Sequence, residues 1–438
     1  MDKGAFLMFG NNKKFAHKAL MFNILGVVMM FFYSGFQNDH LNILRPVAME
    51  VFGFGETAAD MPVTVAGFAV VVFYLICGVG FVKYGVRKIL IPSTLLLGVF
   101  TAILGYSTQA GQLTLYNISL FFVRLLVVPL QMGGFMLCAN WFIKYRGRVM
   151  GIITAGSPLF SIVGISILTM VYTSLGSISM AYMVFGGVII LLAALIFAFL
   201  QDKPEDIGLY PDGSDHPPVS EVNGAQEEDV SLKEILTSKV AWQLIISYGI
   251  MQFVINAMMA YMVARYMMLS ANPENPMELW IQAVFFLSVG AALGIPMSYV
   301  LGWVDDKFGT IKASLLLNIL FFIAVIPLTI MPVGGNKLLM GIWAFGVACM
   351  TGGVPTMHPC SVSYVYGRKK YQGANKWIMT IQAIIMAFAL YYMGFFFQRG
   401  MATQAYVGML VMLVVSLITI LTMWNIPDAN AADRDYKS

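Results

Sequence analysis

Long apolar runs dominate the chain, and short polar segments rich in glycine and lysine separate them. A membrane-spanning helix needs about 20 apolar residues, and each run is long enough to cross a bilayer. Twelve candidate spans result, at residues 19–46, 61–82, 89–108, 113–142, 149–174, 178–200, 240–268, 279–303, 311–332, 337–366, 374–398 and 402–425. The pattern predicts an all-α polytopic membrane protein with twelve transmembrane helices.

One long hydrophilic segment, residues 201–239, separates the sixth span from the seventh. It contains ten acidic residues, three basic residues and four prolines, a composition typical of a solvated linker. We therefore predict an N-terminal six-helix half at 1–200, an acidic cytoplasmic linker at 201–239, and a C-terminal six-helix half with a short tail at 240–438. Docking of a partner protein on the linker is the alternative interpretation.

Two short motifs recur at nearly the same separation. Segment 302–312 shares its glycines and two lysines with segment 78–88, 224 residues earlier, but Val82 stands where the later copy has Asp306. Segment 144–148 resembles segment 370–374, 226 residues later. Two matches at one separation predict two pseudo-symmetric six-helix bundles, as in several secondary transporters.

Composition and charge support a membrane protein and set its orientation. Charged residues are only 11% of the chain, whereas a soluble domain has about 25%. Of the 26 Lys and Arg residues, 21 lie in segments on the side of the linker, so the positive-inside rule predicts a cell-membrane protein with both termini cytoplasmic. No motif indicates an enzyme, a metal site, a cofactor or nucleic-acid binding, and the four cysteines lie far apart in apolar segments.

Arg124 is the strongest candidate for substrate binding. It lies inside the fourth span, and an arginine within a membrane segment is costly unless it has a function or a partner. Gln131 lies seven residues further along and shares its helical face. The alternative is that Arg124 is held by carbonyl groups for packing alone.

Further polar residues lie in the first, seventh and tenth spans. The end of the first span has a polar cluster, from which we select Gln37 and Asn38 for substrate binding and Asp39 or His40 as the candidate proton carrier. The remaining candidates for substrate binding are Gln252, Asn256 and His358. Amides can instead cross-link helices, and a lone histidine can be a core residue. We expect Asp39 or His40 to approach Arg124, because their depths in the membrane match.

The charged segment around Asp306 and Lys307 is the candidate gate. Gly302, Asp306, Lys307, Gly309 and Lys312 follow the loop signature of the major facilitator superfamily, which the chain resembles over nearly its whole length. Such a carboxylate is expected near a helix N-terminus or a basic side chain, where it would stabilise one conformation.

Three further segments resemble the oxalate/formate antiporter and monocarboxylate transporter-like branch of that superfamily. They are Gly35-Phe-Gln-Asn followed by Arg45, Ala139-Asn-Trp-Phe, and Pro204-Glu-Asp-Ile-Gly-Leu-Tyr-Pro-Asp-Gly. The resemblance implies that the first, fourth, seventh and tenth helices line a central cavity.

The sequence therefore predicts a monomeric secondary active transporter for a small organic anion such as a carboxylate. It would work by alternating access, as an antiporter or as a symporter coupled to protons. One alternative is an importer or exporter of a neutral or drug-like solute, in which Arg124 is structural. A transporter-like sensor or a passive channel is a further alternative.

Overall fold

The computed structural model describes residues 13–53, 56–215, 217, 230–271 and 277–431. These residues are almost entirely helical and contain no β-strand. Within them, 11 helical stretches are long and apolar enough to cross a membrane. The longest, Lys337–Phe397, has 61 residues and would be about 90 Å long, too long for one crossing. Gly367 breaks it with φ 66° and ψ 176°, so it provides two spans and the prediction of twelve is confirmed.

We number the twelve spans α1 to α12 and call α1–α6 and α7–α12 the two halves. The first half consists of α1 (Lys13–Ser34, extended by Leu41–Phe52), α2 (Glu56–Tyr84), α3 (Val86–Gln109), α4 (Leu113–Leu126 and Val128–Trp141), α5 (Arg146–Thr154, Gly156–Leu159 and Ile165–Leu175) and α6 (Ile178–Phe199). The second consists of α7 (Lys239–Met268), α8 (Met277–Phe308), α9 (Thr310–Ile330), α10 and α11 (before and after Gly367 in Lys337–Phe397) and α12 (Ala402–Leu421). Short helices Pro204–Ile207, Pro211–Gly213 and Leu232–Thr237 lie between the halves in sequence.

Two π-helical turns interrupt the helices of the first half. The turn Gly35–Asp39 lies in α1, and the turn Phe160–Gly164 lies in α5. The turns contact each other, because the Phe160 ring occupies the space that a Cβ atom on Gly35 would need. Each π-turn shifts the register of the side chains after it, a feature that is common at functional sites.

The internal repeat is visible at the two glycines that connect α2 to α3 and α8 to α9. Gly85 joins α2 to α3 with φ 87° and ψ 158°, and Gly309 joins α8 to α9 with φ 92° and ψ 154°. The two glycines are 224 residues apart and adopt the same conformation, which residues with a Cβ rarely reach. The two halves therefore make the same tight connection at equivalent positions.

The halves meet along two seams, α5 with α8 and α2 with α11. At the first seam the backbones of Gly147 and Gly302 lie in direct contact, and at the second Gly78 packs against Lys376. These contacts lie beside the turns that connect α2 to α3, α4 to α5, and α8 to α9. We call this end of the molecule the linker end, because residues 201–214 also pack there, and it is closed in this structure.

Candidate functional site

Arg124 is buried in the first half and is held by the main chain of the α1 π-turn. Its side chain is 7% exposed, and Nη1 donates to the carbonyl oxygen of Gln37. α4 is interrupted at Val127, directly after the turn that carries Arg124. Because a carbonyl group is neutral, this hydrogen bond does not neutralise the positive charge of Arg124.

Two tyrosines and Gln131 form a polar cluster beside Arg124. Tyr74 on α2 donates its hydroxyl hydrogen to Gln131 Oε1 over 2.7 Å. Tyr33 on α1 lies beside both of these side chains and interacts electrostatically with Arg124. The cluster therefore joins three helices of the first half and presents hydroxyl and amide groups next to a fixed cation.

The candidate proton carriers Asp39 and His40 contact side chains of other helices in the first half. Asp39 Oδ2 accepts a hydrogen bond from Ser161 Oγ over 2.7 Å, which links the two π-turns. His40 is 0% exposed and its Nδ1 lies 3.0 Å from the Tyr182 hydroxyl. Arg124 contacts the same π-turn through the Gln37 carbonyl and also interacts electrostatically with His40. The Asn38 side chain lies outside the described part of the structure.

The second half contributes an amide cluster with no charged member among its described contacts. Gln252 Nε2 on α7 donates to Gln382 Oε1 on α11 over 3.2 Å, and Gln382 Nε2 donates to the Leu244 carbonyl over 3.1 Å. Asn256 Nδ2 donates to the Gln252 carbonyl one turn earlier, over 2.9 Å. Gln252 and Asn256 are both partly exposed, so this cluster can offer hydrogen bonds to a solute.

His358 lies behind this amide cluster. It is 3% exposed, interacts with Gln382, and sits edge-on to Tyr248 with ring centroids 5.5 Å apart. Its neighbour Thr356 faces the first half, since Thr356 Oγ1 lies 2.7 Å from Thr154 Oγ1. Two residues along a helix turn by about 200°, so His358 points away from the first half and into the second.

The two polar clusters adjoin the same seam. Gly78 on α2 packs against Lys376 on α11, and Tyr74 lies one turn from Gly78, about 6 Å further along the axis. Gln382 lies six residues from Lys376, about 9 Å along α11. The Arg124 cluster and the Gln252–Gln382 cluster therefore lie at similar depths on opposite sides of the boundary between the halves.

Asp306 binds the first turn of α5 at the linker end. Its Oδ1 accepts from the Gly147 amide over 2.9 Å, and its Oδ2 accepts from the Arg148 amide over 3.0 Å. Arg148 Nε also lies 3.3 Å from Oδ2. The expected position at a helix N-terminus, with a basic side chain nearby, is confirmed, and we call these contacts the latch. Lys307 lies over the Trp303 ring at 4.7 Å and is exposed.

Residues 201–214, which we call the strap, pack against the linker end. The Asp212 carboxylate accepts amide hydrogens from Ile143, Lys144 and Tyr145. Asp212 is the one non-glycine residue with positive φ, 56°, in the described ranges. Burial raises the pKa of Asp212, although the three amide donors oppose the shift. The strap also reaches the second half, because Glu205 Oε2 lies 2.9 Å from Arg368 Nη2.

Twelve helices in two similar halves, with a polar cluster on each side of their boundary and a closed end, are an arrangement typical of secondary transporters. The model of the Major Facilitator Superfamily matches residues 25–376, so the chain belongs to this superfamily. A comparison with curated proteins gives no match. No group of His, Cys, Asp or Glu within the described ranges is arranged to hold a metal ion.

Solved transporters share the fold at low sequence identity. The proton:xylose symporter XylE, bound to 6-bromo-6-deoxy-D-glucose, is 13% identical with a TM-score of 0.70, over 94% of this chain and 95% of its own. The transporter FucP in its outward conformation is 14% identical with a TM-score of 0.68, over 92% and 99%. A variant of the E. coli fucose:proton symporter has 13% identity and a TM-score of 0.67, over 92% and 98%.

The structure also brings forward residues that the sequence analysis missed. Gln382 is a single amide in the apolar stretch 377–397, and the search for polar residues within spans that selected Gln252 would have found it. Tyr33 and Tyr74 resemble the other aromatic residues of the spans, so only the fold reveals their partners. Ser161 could be identified only from the structure, because its contact with Asp39 joins two π-turns that hydropathy does not predict.

Proposed function

We propose that this protein is a secondary active transporter that carries a small organic anion, a carboxylate, between its two halves by alternating access. The observation that carries the proposal is Arg124, a buried guanidinium held by the Gln37 carbonyl beside Tyr33 and Gln131. A guanidinium that is hydrogen-bonded to a neutral carbonyl group can still bind a carboxylate through two parallel hydrogen bonds.

The two halves have different roles in this proposal. Arg124, Gln37, Asn38 and Gln131 in the first half hold the charged group of the substrate. Gln252 and Asn256 in the second half orient its neutral part, and His358 supports Gln382 from behind. The halves 1–200 and 240–438 rock about the substrate, and the linker 201–239 follows them.

Coupling and orientation complete the proposal. The Asp39–Ser161 pair is the candidate proton site, because it joins the two π-turns next to the Arg124 cluster. The linker end is placed on the cytoplasmic side of the cell membrane by its lysines and arginines. Both termini are then cytoplasmic, the closed linker end corresponds to an outward-facing state, and the protein acts as a monomer in the bilayer.

A neutral polar solute such as a sugar is the second candidate. It is favoured by the amide and phenol groups of both clusters, which suit hydroxyl groups, and by the main-chain contact that Arg124 already makes. The solved structures of similar fold are described as xylose and fucose symporters with protons. In this alternative Arg124 stabilises the α1 π-turn and does not touch the solute.

Thermal unfolding of the purified protein distinguishes the two candidates. A ligand at 100 times its Kd stabilises the folded state by about 2.7 kcal/mol. We expect mono- or dicarboxylates to raise the Tm of the wild type, sugars not to do so, and Arg124→Gln to abolish the carboxylate effect. A sugar-dependent shift that survives Arg124→Gln supports the neutral-solute candidate instead.

Arg265 provides the matched control. It is also a buried arginine, 6% exposed, and it donates to the Leu328 carbonyl and to Thr403 within the second half. Arg265→Gln should lower the Tm without ligand but leave the increase caused by the carboxylate unchanged. Loss of the ligand effect in both variants would indicate a general effect of removing a buried charge.

A further inference from the structure

A tyrosine of a neighbouring helix fixes the orientation of the Gln131 amide group. Tyr74 on α2 is 8% exposed, and its hydroxyl donates to Gln131 Oε1 on α4 over 2.7 Å. A glutamine amide has one oxygen that accepts hydrogen bonds and one nitrogen that carries two hydrogens to donate. Because Tyr74 holds the oxygen, the nitrogen is the end that Gln131 offers to other groups.

The surroundings of Gln131 leave this nitrogen with a hydrogen for a solute. The Gln131 side chain is partly exposed, so a molecule between the two halves can reach it. Tyr33 lies beside it and is also partly exposed. The Tyr33 hydroxyl can accept one of the two amide hydrogens, and the second then needs an acceptor on the bound molecule.

The substrate group that meets Gln131 is separate from the carboxylate that Arg124 would bind. The two residues lie on one face of α4, seven residues apart in sequence, which is about 10 Å along the helix axis. A hydrogen bond at each end spans about 2.9 Å and leaves about 4 Å between the two acceptors of the substrate. This separation suits an oxygen on the fourth carbon of an acid, counted from the carboxyl group, and is too large for one on the second carbon.

We propose that Tyr74 is a specificity-determining positioning residue, which holds the Gln131 oxygen so that the site selects carboxylates with a neutral carbonyl oxygen near the fourth carbon. The inference rests on the proposed carboxylate function and assigns Gln131 to the group beyond the carboxylate. A second carboxylate does not fit there, because Gln131 and both tyrosines are neutral and leave its charge uncompensated. An alkyl group there leaves a donor hydrogen of Gln131 without an acceptor.

Binding of levulinate and valerate by the purified full-length protein provides the test. The two acids have the same charge and chain length, and only levulinate carries an oxo group, on its fourth carbon. The dependence of Tm on ligand concentration gives a Kd for each acid. We expect the wild type to bind levulinate at least about threefold more tightly, as one net hydrogen bond provides.

The variants should change this preference and not only the affinity. We expect Tyr74→Phe and Gln131→Leu each to lower the preference for levulinate to below about twofold. Tyr392→Phe is the matched control. It also removes one tyrosine hydroxyl, which donates to the Ala405 carbonyl over 2.8 Å in the second half, and it should keep the preference of the wild type.

The double variant separates a positioning role of Tyr74 from a direct contact with the substrate. If Tyr74 acts through Gln131, Tyr74→Phe combined with Gln131→Leu should have the same preference as Gln131→Leu alone, whereas a direct contact would make the two effects add. Additive effects, or an unchanged preference in Tyr74→Phe, overturn the proposal. If Tyr74→Phe does not fold, Gln131→Leu decides, since the proposal requires that it lose the preference.

The wild type distinguishes failure of this inference from failure of the proposed function. If both acids raise its Tm equally and Arg124→Gln abolishes both shifts, the carboxylate function stands and the role of Tyr74 is rejected. If neither acid raises its Tm, both proposals are rejected.

Discussion

At the scale of single residues, neutral dipoles contact three charged side chains of the candidate site, and one of these, Asp306, is also paired with Arg148. Arg124 donates to the Gln37 carbonyl, Asp39 accepts from Ser161, and Asp306 accepts from two amides of α5. A neutral dipole holds a charge in place without cancelling it. Each of these groups can therefore respond to a substrate, a proton or the movement of the other half.

The latch gives a prediction for Asp306→Asn. An asparagine keeps one acceptor but loses the negative charge that binds the N-terminus of α5 and Arg148, and hydrogen bonds to charged groups contribute about 1.5–3 kcal/mol. We expect Asp306→Asn to lower the initial rate of carboxylate uptake into vesicles about tenfold or more. Val82→Asn, at the equivalent position of the first half, is the control and should change the rate little. Equal effects of the two variants would mean that the segment serves only as a turn.

The pair of Asp39 and Ser161 gives a prediction for proton coupling. If Asp39 carries the proton, Asp39→Asn should abolish accumulation driven by a pH gradient but preserve exchange of labelled for unlabelled substrate. Both are measured in the same proteoliposomes. Ser161→Ala keeps the carboxylate and should retain gradient-driven uptake. Full accumulation by Asp39→Asn would assign the coupling to another group.

The sequence predicted the position of Asp306 but not the partners of Asp39. Asp306 was predictable because a charged turn between two membrane helices must lie at a membrane surface, close to another helix end. Asp39 was expected near Arg124 from its depth alone. Depth does not determine direction around the helix axis, and the π-turn Gly35–Asp39 changed that direction. The pairing with Ser161 also needed a second π-turn that no local pattern indicates.

At the scale of secondary structure, close backbone contacts between helices of different halves define the closed end. Gly147 and Gly302 touch through their main chains, and a Cβ on Gly151 would meet the backbone of Ser298. Such contacts contribute only while the halves are together, so glycine at these positions matters for conformation more than for folding. The repeated motifs include Gly147 and Gly302 but not Gly151, and the pairing of these glycines across the seam required the structure.

Gly302→Ala should therefore shift the protein toward an open linker end. The added methyl group would overlap the Gly147 carbonyl, which belongs to the backbone and cannot rotate away. We expect faster alkylation of Cys360, which is buried at this seam. Gly187→Ala in α6 is the control, since a Cβ there meets nothing within 4 Å. No change in Cys360 reactivity would contradict the role assigned to this contact.

At the scale of the whole molecule, the linker end gathers the connecting turns, the strap and the latch. The strap binds the α4–α5 turn through Asp212 and reaches the second half through Glu205 and Arg368. Hydropathy and the repeat predicted the number of helices and the equivalence of the halves. The closed conformation could not be predicted, because one sequence must allow both open and closed arrangements.

The orientation of the molecule can be tested with amine-reactive labels. Lys83, Lys144 and Lys307 lie at the linker end and should react only from the cytoplasmic side of sealed vesicles. Lys337 begins α10 at the other end and should react only from outside. Peptide mass spectrometry identifies each labelled lysine. Reaction of any one of them from the opposite side would require a different helix count or an inverted orientation.

Counterflow in proteoliposomes tests the central claim most directly. Liposomes loaded with an unlabelled carboxylate are diluted into a trace of the labelled compound, and transient accumulation of label shows exchange by alternating access. We predict counterflow of carboxylates by the wild type, strong loss in Arg124→Lys because an ammonium cannot replace the planar guanidinium, and retention in Arg265→Lys. Linear uptake without transient accumulation would indicate a channel. The account is contradicted if the wild type shows counterflow of sugars but not of carboxylates, and if Arg124→Gln shows the same counterflow of sugars.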